Sequence, residues 1–211
     1  MNDAKGEKMS KEVLAQYLGL ESENEKQMLQ FILQSAPLLK GVKMSCILMI
    51  RDTYLNVIRE ELRDTEIEVY VLDQWQGKCT ILLYRRKLLE FYLSQNNIRD
   101  FLEQYGYQKV KDNKTLCLVE TLSMLGKRVA YFNRKEGIFP HEIGVFLGYP
   151  LEDVTGFIEN AGRNYLLNGY WKVYSDVRLA KRRFQAYDRA ISLAVKEMFE
   201  GKPIREITEQ K

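Results

Sequence analysis

Residues 66–85 read EIEVYVLDQWQGKCTILLYR, and this stretch decides the fold class. Residues 66–73 alternate between apolar and polar side chains, which is the period of a β-strand. A tract over 74–78 contains Gly77, and the apolar run over 79–85 predicts another strand. The two strands are expected to pair as an antiparallel hairpin with a longer loop.

The residues on both sides of this hairpin complete an α+β pattern. Apolar residues recur at helical spacing in several segments, and strand formers fill the segment before the hairpin. The expected helices cover 10–19, 23–36, 52–63, 87–105 with a break at 96–97, 115–132 and 175–199, and a first strand covers 42–50. The C-terminal helix is long, and Ser175 or Asp176 is its expected N-cap.

The order of these elements, β-α-β-β-α, predicts the core of the fold. We expect a small mixed or antiparallel sheet covered by helices on one face. The aromatic residues over 170–174 are available as a late strand, so the sheet has three to four strands. A ferredoxin-like arrangement is one topology that fits this order.

The bulk composition describes one domain over residues 1–211, with an α/β core part over 1–136 and a second part over 137–211. The 32 basic and 29 acidic residues nearly balance, which argues against a nucleic-acid coat or a polybasic membrane binder. The apolar runs are far shorter than the roughly 20 residues of a membrane helix. The cysteines lie in apolar runs, which predicts buried, reduced thiols in a cytoplasmic protein. They are Cys46, Cys79 and Cys117.

Residues 139–174 read FPHEIGVFLGYPLEDVTGFIENAGRNYLLNGYWKVY and predict a helix-turn-helix-like segment. One helix opens at Pro140 and stops at Gly148, and a second opens at Pro150. Gly169 then marks a turn into an aromatic strand. The same layout is typical of a winged-helix DNA reader, whose second helix makes the base contacts. Its exposed positions include Glu152, Asp153 and Glu159 and no basic residue, which argues against nucleic acid as the partner.

The stretch PHEIGVFLGYPLEDVTGFIENAGRNYLLNGYWKVYSD, followed by AKRRFQAYDRA, resembles the signature of an uncharacterised clostridial (Firmicutes) family, a domain of unknown function. The resemblance is specific over residues 139–189, whereas the layout of the preceding 130 or so residues is compatible with it and less diagnostic. It implies a cytoplasmic protein of an anaerobic Firmicutes type and implies no activity.

Polar and aromatic residues around the glycine turns of segment 139–174 form the predicted ligand or partner surface. A histidine beside a carboxylate, as in His141–Glu142, is able to serve acid–base or metal chemistry, or to pack at a helix start. The predicted site residues are His141, Glu142, Tyr149, Asn160, Arg163, Asn164, Trp171 and Lys172.

No catalytic signature accompanies these residues. One histidine excludes a histidine-rich zinc site, and the sequence has no HExxH, G-x-S-x-G, Walker A or dinucleotide fingerprint. The sequence therefore favours a non-enzymatic ligand-binding or regulatory protein, with an unknown small molecule or protein as its partner and no cofactor specified. Two alternatives stay open: a small metal- or redox-associated enzyme that uses His141, and a winged-helix-like DNA-binding protein.

Overall fold

A three-stranded antiparallel sheet forms the centre of the molecule. The computed structural model describes Gly19 and residues 22–107, 117–135 and 137–208, so most of the helix predicted over 10–19 lies outside the described residues. Strand β1 covers Ser45–Arg51, β2 covers Ile67–Trp75 and β3 covers Lys78–Arg85. Their order is β1-β3-β2, with both pairs antiparallel. The predicted α+β class is confirmed.

The turn between β2 and β3 contains two residues, Gln76 and Gly77, so the predicted longer loop is wrong. Both residues have positive φ, 49° and 72°. Two such residues form the type of turn whose twist matches that of the flanking strands. The ladder therefore continues until Trp75 pairs with Lys78.

Nine helices surround the sheet in the described part of the chain. They are α1 (Glu23–Leu39), α2 (Leu55–Glu61), α3 (Arg86–Leu93), α4 (Asn96–Glu103), α5 (Leu118–Asn133), α6 (Ile143–Phe146), α7 (Leu151–Glu159), α8 (Val177–Phe199) and α9 (Ile204–Ile207). Ser22 caps α1 with a reciprocal contact to Glu25, and Asp176 caps α8 by accepting from the backbone N–H of Leu179. No helix among these residues is both long enough and apolar enough to cross a membrane.

Helices cover both faces of the sheet, whereas the sequence predicted helices on one face. Side chains at successive positions of a strand point to opposite faces. In β3, Ile81 and Leu83 pack in one core cluster with α1, α2, α8 and α9, while Leu82 and Tyr84 pack in a second cluster with α3 to α7. The unbroken apolar run of β3 is typical of a strand covered on both sides, which is the physical reason for the correction.

Residues 170–174 do not supply a fourth strand to this sheet. Strand β5 (Lys172–Val173) pairs with β4 (Leu167–Asn168) in a separate two-stranded ribbon. The following backbone N–H groups, of Tyr174 and Ser175, donate to the side chain of Asp153 and not to a strand. The main sheet keeps the strand order of the first three strands of a ferredoxin-like fold, but within the described residues it has three strands and two helical layers.

The three cysteines occupy different environments. Cys46 and Cys79 are buried free thiols, as predicted, but Cys117 is exposed. Cys117 precedes the first residue of α5, at the N-cap position. Its place in an apolar run led to the wrong prediction, because that run is the beginning of a helix whose buried face starts at Leu118.

Helix α5 crosses β2 at the point where β2 bulges. The register of β2 against β3 shifts at Leu72, and a β-carbon on Gly126 of α5 would lie 2.8 Å from the Leu72 carbonyl oxygen. A backbone atom cannot rotate away from such a contact. Gly126 therefore sets how closely α5 lies on the sheet.

We expect Gly126→Ala to lower the free energy of unfolding by about 1–2 kcal/mol. Overpacking of a rigid contact costs about 1–3 kcal/mol, and the higher helix propensity of alanine offsets up to about 1 kcal/mol of this loss. Urea denaturation followed by circular dichroism measures the change. The control is Lys127→Ala, at the exposed neighbouring position, which should stay within about 0.5 kcal/mol of wild type. An unchanged or higher midpoint for Gly126→Ala would contradict the close contact.

Candidate functional site

Segment 139–174 folds into a helical hairpin followed by the two-stranded ribbon. The chain turns between α6 and α7 at Gly148, which has a φ of 72°. The exposed residues of α7 are Glu152 and Glu159. This helix, which a DNA-reading motif would present to base edges, thus exposes carboxylates at both ends. The prediction that nucleic acid is not the partner stays a prediction.

The carboxylate of Asp153 joins α7 to the chain that leaves β5. It is buried, and its Oδ1 accepts hydrogen bonds from the backbone N–H groups of Tyr174 at 2.8 Å and Ser175 at 2.9 Å. The Ser175 hydroxyl donates to the same oxygen at 2.8 Å. Oδ2 accepts from the indole Nε1 of Trp171 at 2.7 Å. Four donors compensate the burial of this carboxylate, so Asp153 fixes the path of the chain into α8.

Trp171 and Tyr149, both predicted site residues, belong to an aromatic core. Their rings stack at a centroid distance of 5.1 Å, and Phe184 of α8 meets the Trp171 ring edge-on at 4.6 Å. The ammonium of Lys43 lies 5.2 Å from the centre of the Tyr149 ring. Burial raises the pKa of the Tyr149 hydroxyl above its usual range. These two rings therefore hold α8 against the hairpin.

Glu142 is fully buried and forms an ion pair with α5. The Arg128 guanidinium donates to both of its carboxylate oxygens, from Nε at 2.5 Å and from Nη2 at 3.3 Å. The Tyr107 hydroxyl donates to Oε1 at 3.1 Å. Burial, together with the adjacent Glu142 charge, raises the pKa of Tyr107. The carboxylate predicted to assist His141 thus anchors α6 to α5.

His141 lies half-buried between two aromatic rings. Its ring centroid is 5.4 Å from that of Phe139 and 5.0 Å from that of Phe157. Burial lowers the pKa of His141, and the negative charge of Glu142 offsets only part of this effect. Within the described residues, no group of three or more His, Cys, Asp and Glu side chains is arranged to hold a metal ion.

The remaining predicted residues surround the C-terminal end of α7. The Asn160 side chain donates to the Gly156 carbonyl at 2.8 Å and caps the helix, and Asn164 donates to the Asn160 side chain at 3.4 Å. Lys172 Nζ donates to the Gly162 carbonyl at 2.8 Å. Arg163 is exposed, and its backbone N–H donates to the Asn160 carbonyl at 2.9 Å.

A row of aromatic side chains extends across this end of the molecule. The Phe132 ring meets Phe139 at 5.1 Å, and Phe139 leads through His141 to Phe157. The Lys172 ammonium then lies 5.6 Å from the Phe157 ring centre and 5.1 Å from that of Tyr165. We call this set the aromatic row: Phe132, Phe139, His141, Phe157, Lys172 and Tyr165.

The structure thus divides the eight predicted residues into three groups. Glu142, Tyr149 and Trp171 pack in the interior. Asn160 caps α7 and is bonded to Asn164, and His141 and Lys172 lie in the aromatic row with Arg163 exposed near the same helix end. Sequence reasoning missed Asp153 as an anchor, and it missed the exposed members of the row. The sequence signal for the row is a pair of phenylalanines close together in the chain, Phe132 and Phe139, which the structure shows to be exposed.

We expect Asp153→Asn to lower the free energy of unfolding by about 1–3 kcal/mol. The NH2 group of asparagine cannot accept a hydrogen bond, so at least one of the four donors would lose its acceptor. Urea denaturation measures the loss. Glu152→Gln is the matched control: it also removes one negative charge from the first turn of α7, but its side chain is exposed. The difference between the variants isolates the hydrogen bonds. Equal stability of the two would show that these bonds do not hold the segment.

The single histidine permits a direct titration. We expect its imidazole proton resonances to titrate with a midpoint below the usual value of about 6.5, because burial disfavours the charged ring. A lowered pKa means that the folded state resists protonation. Stability is then complete above pH 6.5 and falls as the pH drops through the folded pKa.

His141→Gln should remove this decline between pH 7.5 and 5.5 in thermal unfolding experiments. A midpoint at or above 6.5 in the NMR titration would contradict the contact of the ring with Phe139 and Phe157. So would a wild-type pH dependence identical to that of His141→Gln.

Comparisons with known proteins place the chain in a family. The comparison with curated proteins finds no match, and the comparison with solved structures finds none either. One family model, DUF3793, described as a protein of unknown function, matches residues 31–208. That range contains the sheet, α2 to α9 and the aromatic row. The chain belongs to the DUF3793 family of proteins of unknown function.

Proposed function

We propose that the chain is a non-enzymatic interaction protein and that its partner protein binds to the aromatic row. The exposure of the row and its neighbours carries this proposal. Ile138, beside Phe139, is 85% exposed, and Leu166, beside Tyr165, is 62% exposed. Exposed apolar side chains that lie beside aromatic rings are typical of protein–protein interaction sites. Aromatic residues and arginine are also the residue types enriched at protein interfaces.

The charges near the row favour an acidic partner. Among the described residues, the cations at this end of the molecule are Lys135, Arg163 and Lys172, and the exposed carboxylate of the second hairpin helix beside them is Glu159. A second copy of the chain, related by a two-fold axis, would place these cations opposite each other, which disfavours self-association. The partner we infer is therefore a protein segment that carries carboxylates beside apolar side chains.

The row is also held in place before any partner binds. Phe132 and Phe157 lie on α5 and α7, and Lys172 is bonded to the Gly162 carbonyl. Glu142 ties α6 to α5 through Arg128, next to His141. A surface fixed in this way loses little conformational entropy on binding, which favours affinity.

The test uses a photo-crosslinking amino acid, p-benzoylphenylalanine, at Ile138 or Leu166 in the full chain, within the cells that make it. The matched control carries the same group at Leu193, an exposed position on α8. We expect one crosslinked protein from the first two positions and not from the third. The crosslinked peptide should contain acidic residues beside apolar ones.

A synthetic copy of that peptide then measures the charge effect. Arg163→Glu should weaken its binding by about fivefold or more, whereas Arg189→Glu, an exposed reversal on α8, should leave it unchanged. Crosslinks to a second copy of the chain, identical products from Leu193, or no product would each overturn the proposal.

A further inference from the structure

A cavity of about 430 Å³ opens where β3 runs into α3. One wall comes from the start of β2 and another from the first turn of α3. The lining residues are Gly41, Glu66, Glu68, Arg85, Arg86, Lys87 and Leu88. Its volume is within the range of small-molecule sites, about 300–1,000 Å³. It shares no residue with the aromatic row.

Arg86 and Glu68 form a fixed part of the wall. Nε of Arg86 donates to one carboxylate oxygen of Glu68 at 2.6 Å, and Nη2 donates to the other at 2.7 Å. The Tyr84 hydroxyl also donates to Glu68, at 2.7 Å. A two-pronged pair of this kind has a defined geometry, and its charges cancel. The net charge of the cavity therefore depends on the other charged residues that line it.

Arg85 lines the cavity with a buried guanidinium that is incompletely paired. Its side chain is 6% exposed. Nη1 donates to Glu66 at 3.0 Å, and Nη2 has only the carbonyls of Leu38 and Leu39, at 3.5 and 3.4 Å. Nε is buried and has no acceptor among the described residues. A guanidinium carries five N–H donors, so this group brings positive charge to the cavity wall with part of its hydrogen-bonding capacity unused.

The first turn of α3 supplies more donors. The N-cap position is Arg85, whose side chain does not cap the helix, so the first backbone N–H groups are left for another acceptor. Lys87 is exposed and has no ion-pair partner among the described residues. The positive end of a helix and an adjacent ammonium both attract anions. The charged lining residues are three basic and two acidic, which leaves one positive charge.

We propose that this cavity binds a small molecule through an oxyanion, a carboxylate or a phosphate. The oxyanion accepts from the first-turn amides of α3 and from Lys87, and it lies beside the Arg85 guanidinium. Leu88 provides an apolar wall for the rest of the molecule. Phosphate and carboxylate share this chemistry, and the two arms of the experiment separate them.

The experiment titrates the full chain with inorganic phosphate in one arm and with acetate in the other, at constant ionic strength maintained with chloride. Two-dimensional NMR follows the amides of Lys87 and Leu88 and the Nε–H resonance of Arg85. We expect saturable shifts of all three signals in at least one arm, and the arm that saturates at lower concentration identifies the oxyanion. Shifts that grow linearly without saturation in both arms would overturn the proposal.

Two variants locate the site. Lys87→Gln, at an exposed position that leaves the fold intact, should weaken binding by about fivefold or more. Lys181→Gln removes an exposed lysine from α8 and should bind like wild type. Equal weakening by both substitutions would indicate general charge attraction and would overturn the assignment. Because the site is separate from the aromatic row, its failure leaves the crosslinking result unaffected.

Discussion

Strand β3 lies between two layers of helices, and the need to cover both of its apolar faces determines where those helices lie. A three-stranded sheet has one central strand, and such a small sheet needs packing against helices to be stable. α1 and α8, from distant parts of the sequence, meet on one face, where Lys40, the C-cap residue of α1, forms a largely buried ion pair with Glu197 of α8. The helices between β3 and β4 fill the other face. Removal of either layer would leave half of β3 in water.

Asp153 has the corresponding role in the C-terminal part. Its four hydrogen bonds hold Trp171 inward and direct the chain away from the main sheet and into α8. In this arrangement, most of the polar and aromatic residues of segment 139–174 stabilise the fold. What remains outside is the aromatic row, together with Arg163. The candidate surface therefore consists of the residues of the segment that do not pack into the interior.

Local features of the fold were predictable from the sequence, and contacts distant in the chain were not. Alternation in β2 and the apolar stripe of α8 gave elements within a few residues of those observed. The second helical layer was signalled by the unbroken apolar run of β3, but one strand does not reveal which helices cover it.

The candidate site was only partly predictable, because it too depends on contacts between residues that are distant in the chain. The sequence cannot show that Glu142 meets Arg128, 14 residues away, or Tyr107, 35 residues away. Nor does it show that the Trp171 ring turns inward and stacks on Tyr149, two residues predicted to belong to the site. Nor does it show that the His141 ring lies between Phe139 and Phe157, which belong to different parts of the fold.

The contrast among the three thiols has a practical consequence for measuring distances in this molecule. Burial raises the pKa of Cys46 to about 12, and Cys79 is also enclosed, so neither forms the reactive thiolate at neutral pH. Cys117 alone among them is accessible. A maleimide fluorophore should therefore attach at one position in the native protein without any substitution. From Cys117 to Phe132 the helix rises about 22 Å, which suits energy transfer between that dye and an acceptor on a bound partner.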